Sequence, residues 1–276
     1  MTITDLLTLG LAMLGTGMIG GVIAGMLGVG GGIVIVPVLE YMLRYADVPV
    51  EWRMHIAVAT SLATIIPTAL SSTRAHHKRG AVDMNIVRGW TIPMLIGSLA
   101  GALLASHAKS AVLTAVFGVV ALLMGIKMLL PMMDKIRVAD AVPRGITGGT
   151  VAAFIGGISS MMGIGGGSLS VPTMTMCGES IHRAVGTAAL FGLVIAIPGT
   201  IGYLFADPPA AMPWGNIGLV SLVGFAVISP GSMLTAPLGA RLAHGLSRRA
   251  LSAVFGIFML TVAVRMLYRT ISAWHW

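Results

Sequence analysis

Two glycine-rich stretches with the same spacing lie in the most apolar parts of this sequence. GMLGVGGGIVIVP covers residues 25–37, and SMMGIGGGSLSVP covers residues 160–172. Glycine has no Cβ, so a ligand can approach its backbone N–H groups closely. The first N–H groups of a helix have no acceptor within that helix and lie at the positive end of its dipole. Two GxGGG turns that each begin a helix therefore predict a site for a small anion.

The residues predicted to bind this anion are the last glycines of each stretch and nearby hydroxyl groups. A hydroxyl suits an oxyanion because it donates one hydrogen bond, although Ser and Thr in membrane helices also bond to their own helix carbonyls. The predicted site comprises Gly30, Gly31, Gly32, Gly165, Gly166, Gly167, Ser168, Thr60 and Thr187.

Close helix packing and a dinucleotide loop are the alternative interpretations of the glycines. Small residues four positions apart let membrane helices approach each other, and this spacing occurs at Gly17, Gly21 and Gly25 and again at Gly97 and Gly101. Packing does not require three consecutive glycines, so we favour an anion site at the two GxGGG turns. A dinucleotide loop needs a preceding strand within a βαβ unit, and the sequence pattern predicts none here.

The composition indicates a membrane protein. Of 276 residues, 56% are hydrophobic and only 9% are charged, whereas soluble domains carry about 25% charged residues. Apolar runs of about 20 residues span a bilayer, and this chain is nearly a succession of them. We expect an all-α polytopic protein that crosses the cell (inner) membrane several times. The net charge of +8 is typical of Lys and Arg in cytoplasmic loops, and we expect no nucleic-acid partner.

The chain also repeats itself, which is the signature of an internal duplication. LTAVFGVVALLMGIKML at 113–129 matches LSAVFGIFMLTVAVRML at 251–267, and HIAVATSL from His55 matches HRAVGTAA from His182. The matches come in the same order in both halves. The predicted organisation is a first membrane repeat over 1–133, a cytoplasmic linker over 134–143 and a second membrane repeat over 144–276.

Each repeat contains five apolar segments, and the second segment of each is short. Ile33–Arg44 corresponds to about 18 Å of helix and Ser168–Cys177 to about 15 Å, against a hydrocarbon core of about 30 Å. Each GxGGG turn should therefore lie near the bilayer midplane, where such interrupted segments are typical of transporter binding sites. The predicted segments are 5–27, 33–46, 55–74, 86–106, 110–131, 144–162, 168–177, 184–205, 215–243 and 250–271.

The distribution of Lys and Arg favours two repeats of opposite orientation. The loop RAHHKRGAVD from Arg74 is basic and should be cytoplasmic. The corresponding loop in the second repeat, ADPPAAMPWG from Ala206, has no Lys or Arg and should lie outside. An inverted arrangement places more basic residues inside than a parallel one does, and an odd number of segments per repeat allows it.

At these residues the chain resembles the TauE/SafE sulfite exporter family. The resemblance rests on the two GxGGG-x4-P turns, on HIAVATSL from His55 and on AHHKRGAVD from Ala75, and it covers nearly the whole chain in order. It implies a multi-pass permease for small sulfur-containing anions such as sulfite, sulfoacetate or other organosulfonates. The second repeat has Ala188 where the first has Ser61, so we do not expect the two half-sites to be chemically equal.

A few other polar residues are candidates for supporting roles. Glu40 is an acid inside an apolar segment and is the candidate for proton coupling, although Thr175 at the matched position has no carboxylate. The matched His55 and His182 are expected near a membrane face, in an interfacial or capping role rather than in contact with substrate.

Arg53 and Arg183 flank the two histidines and could attract anions towards the site. The abundant methionines favour irregular helix packing, although a path for a soft metal would also use thioethers.

These observations predict a secondary transporter that binds its anion at the two helix starts and works by alternating access. No nucleotide-binding motif is present in the sequence, so the energy would come from a gradient, with a proton or sodium ion as the coupling ion. We expect no cofactor, no bound metal and no enzymatic activity, since no nucleophile and base are placed together by the sequence pattern. A channel-like or soft-metal permease of the same architecture is the alternative.

Overall fold

The computed structural model describes residues 3–28, 30–46, 48–130, 137–206, 215–242 and 248–274. Within these ranges the chain forms ten helices and one short hairpin. The helices are α1 (Ile3–Leu27), α2 (Gly32–Met42), α3 (Val50–His77), α4 (Met84–His107), α5 (Ser110–Leu129), α6 (Gly145–Met162), α7 (Gly167–Met176), α8 (Ile181–Leu204), α9 (Leu222–Leu242) and α10 (Arg248–Trp274). Strands β1 (Asn216–Ile217) and β2 (Val220–Ser221) pair antiparallel before α9.

This architecture confirms the all-α polytopic fold. Seven helices are long and apolar enough to cross a membrane, and each predicted segment overlaps one helix. The two segments that were expected to be short are short helices, α2 with 11 residues and α7 with 10 residues. Each begins at the end of a GxGGG turn. The first three residues of the predicted linker and the loop over 207–214 lie outside the described residues.

The segment predicted over 215–243 differs from the structure at its beginning. Residues 216–221 form the hairpin β1–β2, and the helix begins only at Leu222. Gly215 and Gly218 both have positive φ angles, 85° and 54°, which a helix does not contain. The N–H of Leu219 donates to the carbonyl of Tyr203 at the end of α8, over 3.1 Å. The hairpin therefore packs on the C-terminal end of α8 and donates a hydrogen bond to it. The apolar periodicity of the sequence does not reveal this contact.

Small residues bring the outer helices into close contact. A Cβ added at Gly17 in α1 would lie 2.3 Å from the carbonyl oxygen of Ile228 in α9. A Cβ added at Gly97 in α4 would lie 2.0 Å from the carbonyl oxygen of Ala153 in α6. The small-residue spacing at these positions therefore coincides with close backbone contacts between helices. The pair α1–α9 thus has the counterpart α6–α4, and each pair joins a helix of the first predicted repeat to a helix of the second.

The buried helices α3 and α8 run antiparallel through the centre of the bundle. In the first half of α3, the hydroxyl of Thr60 accepts a hydrogen bond from the N–H of Ser221, in the hairpin that lies between α8 and α9 (2.9 Å). Near the start of α8, the hydroxyl of Thr187 accepts one from the N–H of Asp83, just beyond the end of α3 (2.9 Å). Helix α3 is thus bonded to the segment that follows α8, and α8 is bonded to the segment that follows α3.

Candidate functional site

The two GxGGG turns touch each other at the centre of the bundle. A Cβ added at Gly30 would lie 3.1 Å from Cα of Gly165 and 3.1 Å from Cγ2 of Ile65 in α3. A Cβ added at Gly166 would lie 3.0 Å from Cβ of Phe191 in α8. Ile65 and Phe191 are near the middle of their helices. The turns therefore meet about halfway along α3 and α8.

The two turns have different backbone conformations despite their common sequence pattern. Gly28, Gly30 and Gly31 in the first turn have φ angles of 66°, 79° and 76°, in the left-handed region that favours glycine. In the second turn Gly163 has a φ of 67°, whereas Gly166, at the start of α7, has a right-handed φ of −54°. In the first turn, glycine is required because the backbone is left-handed at three positions. At Gly166 in the second turn, glycine is required because a side chain would collide with α8.

Both turns present helix N–H groups close to this contact. In α2 the helical bonding begins with the N–H groups of Val34 and Ile35, which donate to the carbonyl of Gly31 (3.0 and 3.2 Å). In α7 it begins with the N–H of Ser170, which donates to Gly166 (2.8 Å). The N–H groups that precede these have no acceptor within their own helix. They give the centre of the bundle a partial positive charge without a basic side chain.

Two serine hydroxyls beside the second turn are buried and have no hydrogen-bond partner among the described residues. They are Oγ of Ser168, the second residue of α7, and Oγ of Ser159, in the last turn of α6. A buried hydroxyl without a partner costs about 1–3 kcal/mol. A bound anion or a water molecule at the turns would recover this energy, so Ser168 strengthens the interpretation of the turns as a binding site.

Ser61 shows how the two half-sites differ. Its hydroxyl donates to the carbonyl of Gly163 across 2.7 Å and so ties α3 to the second turn. The matched residue of α8 is Ala188, which has no hydroxyl. This hydrogen bond holds Gly163 in place. Ala188 cannot make a corresponding bond to the first turn, because it has no hydroxyl.

Thr60 and Thr187, which were predicted to be part of the site, are both fully buried. Their oxygens accept the N–H groups of Ser221 and Asp83 described above. Each threonine thus positions the start of a helix in the other half, and its own O–H still allows it to donate. Their role in substrate binding stays a prediction.

Asp83 is a residue that the sequence reasoning missed. It caps the start of α4, because its Oδ1 accepts hydrogen bonds from the N–H groups of Asn85 (2.8 Å) and Ile86 (3.3 Å). Its other oxygen forms an ion pair with Arg183, whose Nε is also 3.4 Å from Glu179. An acidic residue directly before an apolar helical run is a capping signal, but its pairing with a residue 100 positions away is not readable from the sequence.

Three basic or histidine side chains in the first turns of α3 and α8 contact backbone carbonyls or a carboxylate. Arg183 joins the two halves through Asp83, and Nε of Arg53 donates to the carbonyl of Val48 (2.7 Å). His55 is buried, with its ring nitrogens 3.0 Å from the carbonyl oxygen of Glu51 and 2.9 Å from that of Ala108. The matched His182 is exposed. The contacts of Arg53, Arg183 and His55 hold helix starts in place.

Glu40, the candidate for proton coupling, is buried in α2 three residues after Pro37. Its role stays a prediction. In the part of the chain that the structure describes, no group of three or more His, Cys, Asp or Glu side chains could hold a metal ion.

Comparison with known proteins places these features in a family. The family model of the sulfite exporter TauE/SafE matches residues 13–266. A probable membrane transporter protein of Haemophilus influenzae is 31% identical, with 91% of this chain and 95% of that protein covered. The probable membrane transporter protein YunE of Bacillus subtilis is 25% identical, with 92% and 96% covered.

A third relative, the probable membrane transporter protein MJ0441 of Methanocaldococcus jannaschii, is 27% identical over 88% of this chain and 92% of its own length. No solved structure matches the chain. The family match spans nearly all of the helices described above, including both glycine turns. The chain therefore belongs to the TauE/SafE sulfite exporter family and is a multi-pass transporter of the cell membrane rather than an enzyme.

Proposed function

We propose that the protein carries small sulfur oxyanions, such as sulfite or organosulfonates, and binds them at the two glycine turns. The observation that supports this most directly is the contact between Gly30 and Gly165, because it brings two helix starts to one point. The anion would be held by N–H groups of Gly30–Gly32 and Gly165–Gly167 and by the hydroxyl of Ser168.

Backbone dipoles are a suitable means of binding an anion at this depth. A fixed arginine in the hydrocarbon region is costly, whereas the N–H groups at a helix start are already part of the fold. Tetrahedral and pyramidal oxyanions offer several acceptor oxygens, so one anion can accept from both helix starts and from Ser168. A divalent or soft cation would meet the same positive dipoles unfavourably.

Two repeats of opposite orientation provide the route for alternating access. The antiparallel course of α3 and α8 and the crossed contacts of Thr60 and Thr187 support this arrangement. We infer that the halves rock against each other around the turns. Opening to one face would break the Thr187–Asp83 contact, and opening to the other would break the Thr60–Ser221 contact.

The energy for transport would come from an ion gradient, with a proton or a sodium ion as the coupling ion. Glu40 is the carboxylate that we propose for proton coupling, because a buried acid in a membrane helix is a functional candidate by default. Glu40 lies on α2, the helix that starts at the first glycine turn. Protonation of Glu40 would therefore be linked to the binding site.

The experiment that tests this function measures radiolabelled sulfite uptake by the purified protein in liposomes. Uptake is measured with and without a pH gradient and with excess sulfoacetate. We expect saturable sulfite flux that sulfoacetate inhibits, and a dependence on the pH gradient would support proton coupling. Flux of cations without competition by anions would instead favour a channel-like or soft-metal permease of the same architecture.

A further inference from the structure

A cavity of about 160 Å³ lies between the linker, the start of α4 and the end of α7. Its lining includes Asn85 and Asp140, which are exposed, and Trp90, which is buried. The cavity therefore leads from the end of the bundle inwards to Trp90. We propose that Trp90 and Phe191 form a gate between this cavity and the second glycine turn. The inference rests on the proposed function, which makes that turn part of the binding site.

Trp90 and Phe191 follow each other in depth below the cavity. Trp90 lies about 9 Å along α4 from its first residue, Met84, and Phe191 lies about 15 Å along α8 from Ile181. Their rings are stacked, with centroids 5.8 Å apart and planes 14° apart. A Cβ added at Gly166 would lie 3.0 Å from Cβ of Phe191. The cavity, the two rings and the second turn thus form a continuous series.

Two contacts hold Trp90 in the closed position. Its Nε1–H donates to the carbonyl of Pro143 in the linker over 3.1 Å, and its ring face lies on Phe191. The linker is itself attached to the bundle, because the N–H of Val138 donates to the carbonyl of Met176 at the end of α7 (2.9 Å). Opening of the gate therefore requires Trp90 to separate from Pro143 and Phe191, and a movement of the linker would release it.

The chemistry of the gate suits an anion. Indole has one polar group, an N–H that only donates, so Trp90 could donate to a passing oxyanion once it leaves Pro143, whereas it offers no acceptor to a cation. The first repeat has Thr64 at the position matched to Phe191, and the Thr64 hydroxyl donates to the carbonyl of Ser61. The stacked rings therefore belong to one of the two repeats and close one end of the route.

The test measures how fast a cysteine beside the second turn is modified. In a Cys177→Ser background, Ser168→Cys in the purified full-length protein in detergent is treated with a small anionic methanethiosulfonate. We expect slow modification with Trp90 in place and an about tenfold higher rate with Trp90→Leu, because loss of the stack and of the hydrogen bond makes opening more frequent. Trp90→Phe keeps an aromatic ring without the N–H and should give an intermediate rate.

Trp52→Leu is the control, because Trp52 packs on His55 near the start of α3, outside the lining of the cavity, and it should leave the rate unchanged. A second reporter, Ser72→Cys, lies buried in α3 and should react equally with and without Trp90→Leu. Equal rates at Ser168→Cys with Trp90 and with Trp90→Leu would overturn the proposal. A parallel increase at Ser72→Cys would also overturn it, because it would show a general loosening of the fold. The readout needs neither sulfite binding nor transport, so its failure is distinguishable from failure of the sulfite flux experiment.

Discussion

At the scale of single residues, the glycines of the two turns are poor places to test anion binding. A Cβ at Gly32 would lie 2.1 Å from the carbonyl oxygen of Gly163, and one at Gly31 would lie 2.6 Å from that of Gly20. Both contacts are with rigid backbone, so a larger residue would disturb the fold together with the site. A side chain that is buried, unbonded and adjacent to the turns is the better probe.

Ser168→Ala should weaken substrate binding and leave the fold intact. The Ser168 hydroxyl has no partner among the described residues, so its removal breaks no bond and should not lower Tm. Loss of one hydrogen bond to an anion is worth about 1.5–3 kcal/mol, so we expect KM for sulfite uptake to rise about tenfold or more. The measurement is the concentration dependence of liposome uptake.

Ser170→Ala is the matched control for this variant. Ser170 is also buried and unpartnered in α7, but its N–H already takes part in the helical bonding, so it lies beyond the free helix start. Its KM should remain near the native value. Equal KM values for Ser168→Ala and the native protein would remove Ser168 from the site.

At the scale of elements, the contacts between the starts of α4 and α8 hold the two halves together at the basic loop. Besides the Thr187–Asp83 bond, the ion pair of Asp83 with Arg183 crosses from one half to the other. The matched contact at the opposite end has Ser221 in the place of Asp83. The contact at one end of α3 and α8 therefore includes a charged side chain, Asp83, and the contact at the other end, through Ser221, does not.

A double-mutant cycle with Asp83→Asn and Arg183→Gln should give a coupling energy of about 0.5–1 kcal/mol. The value is modest because the Arg183 side chain is 50% exposed and water screens the pair. Asparagine keeps the helix cap, so the cycle isolates the ion pair. Thermal unfolding in detergent provides the measurement.

Arg88→Gln serves as the control, because Arg88 is exposed on α4 and is not part of this ion pair. Combined with Asp83→Asn, it should show additive effects. If the effects of Asp83→Asn and Arg183→Gln on stability were also additive, the ion pair would contribute nothing measurable to stability.

At the scale of the whole molecule, the two repeats should place the loop after α3 and the hairpin after α8 on opposite sides of the membrane. Lys78 and Ile217 are both exposed and mark these two places. In a Cys177→Ser background, Ile217→Cys should react with a membrane-impermeant maleimide on intact cells. Lys78→Cys should react only after permeabilisation, because basic loops stay in the cytoplasm. Labelling of both residues in intact cells would contradict the inverted arrangement.

The sequence alone determined the class of the protein, its ten apolar segments and the position of the two short helices. These properties follow from composition, the length of apolar runs and repeated motifs, which are local or periodic along the chain. The hairpin at 216–221 escaped because its strands are two residues long and its turn depends on contacts with the end of α8.

The tertiary structure alone decided which residues meet. It brought Gly30 to Gly165, bonded Ser61 to Gly163 and paired Asp83 with Arg183. These partners are about 100 or more positions apart, and no local pattern encodes such a distance. It also assigned different backbone angles to two turns of identical glycine spacing, because the space around each turn is set by the helices packed against it.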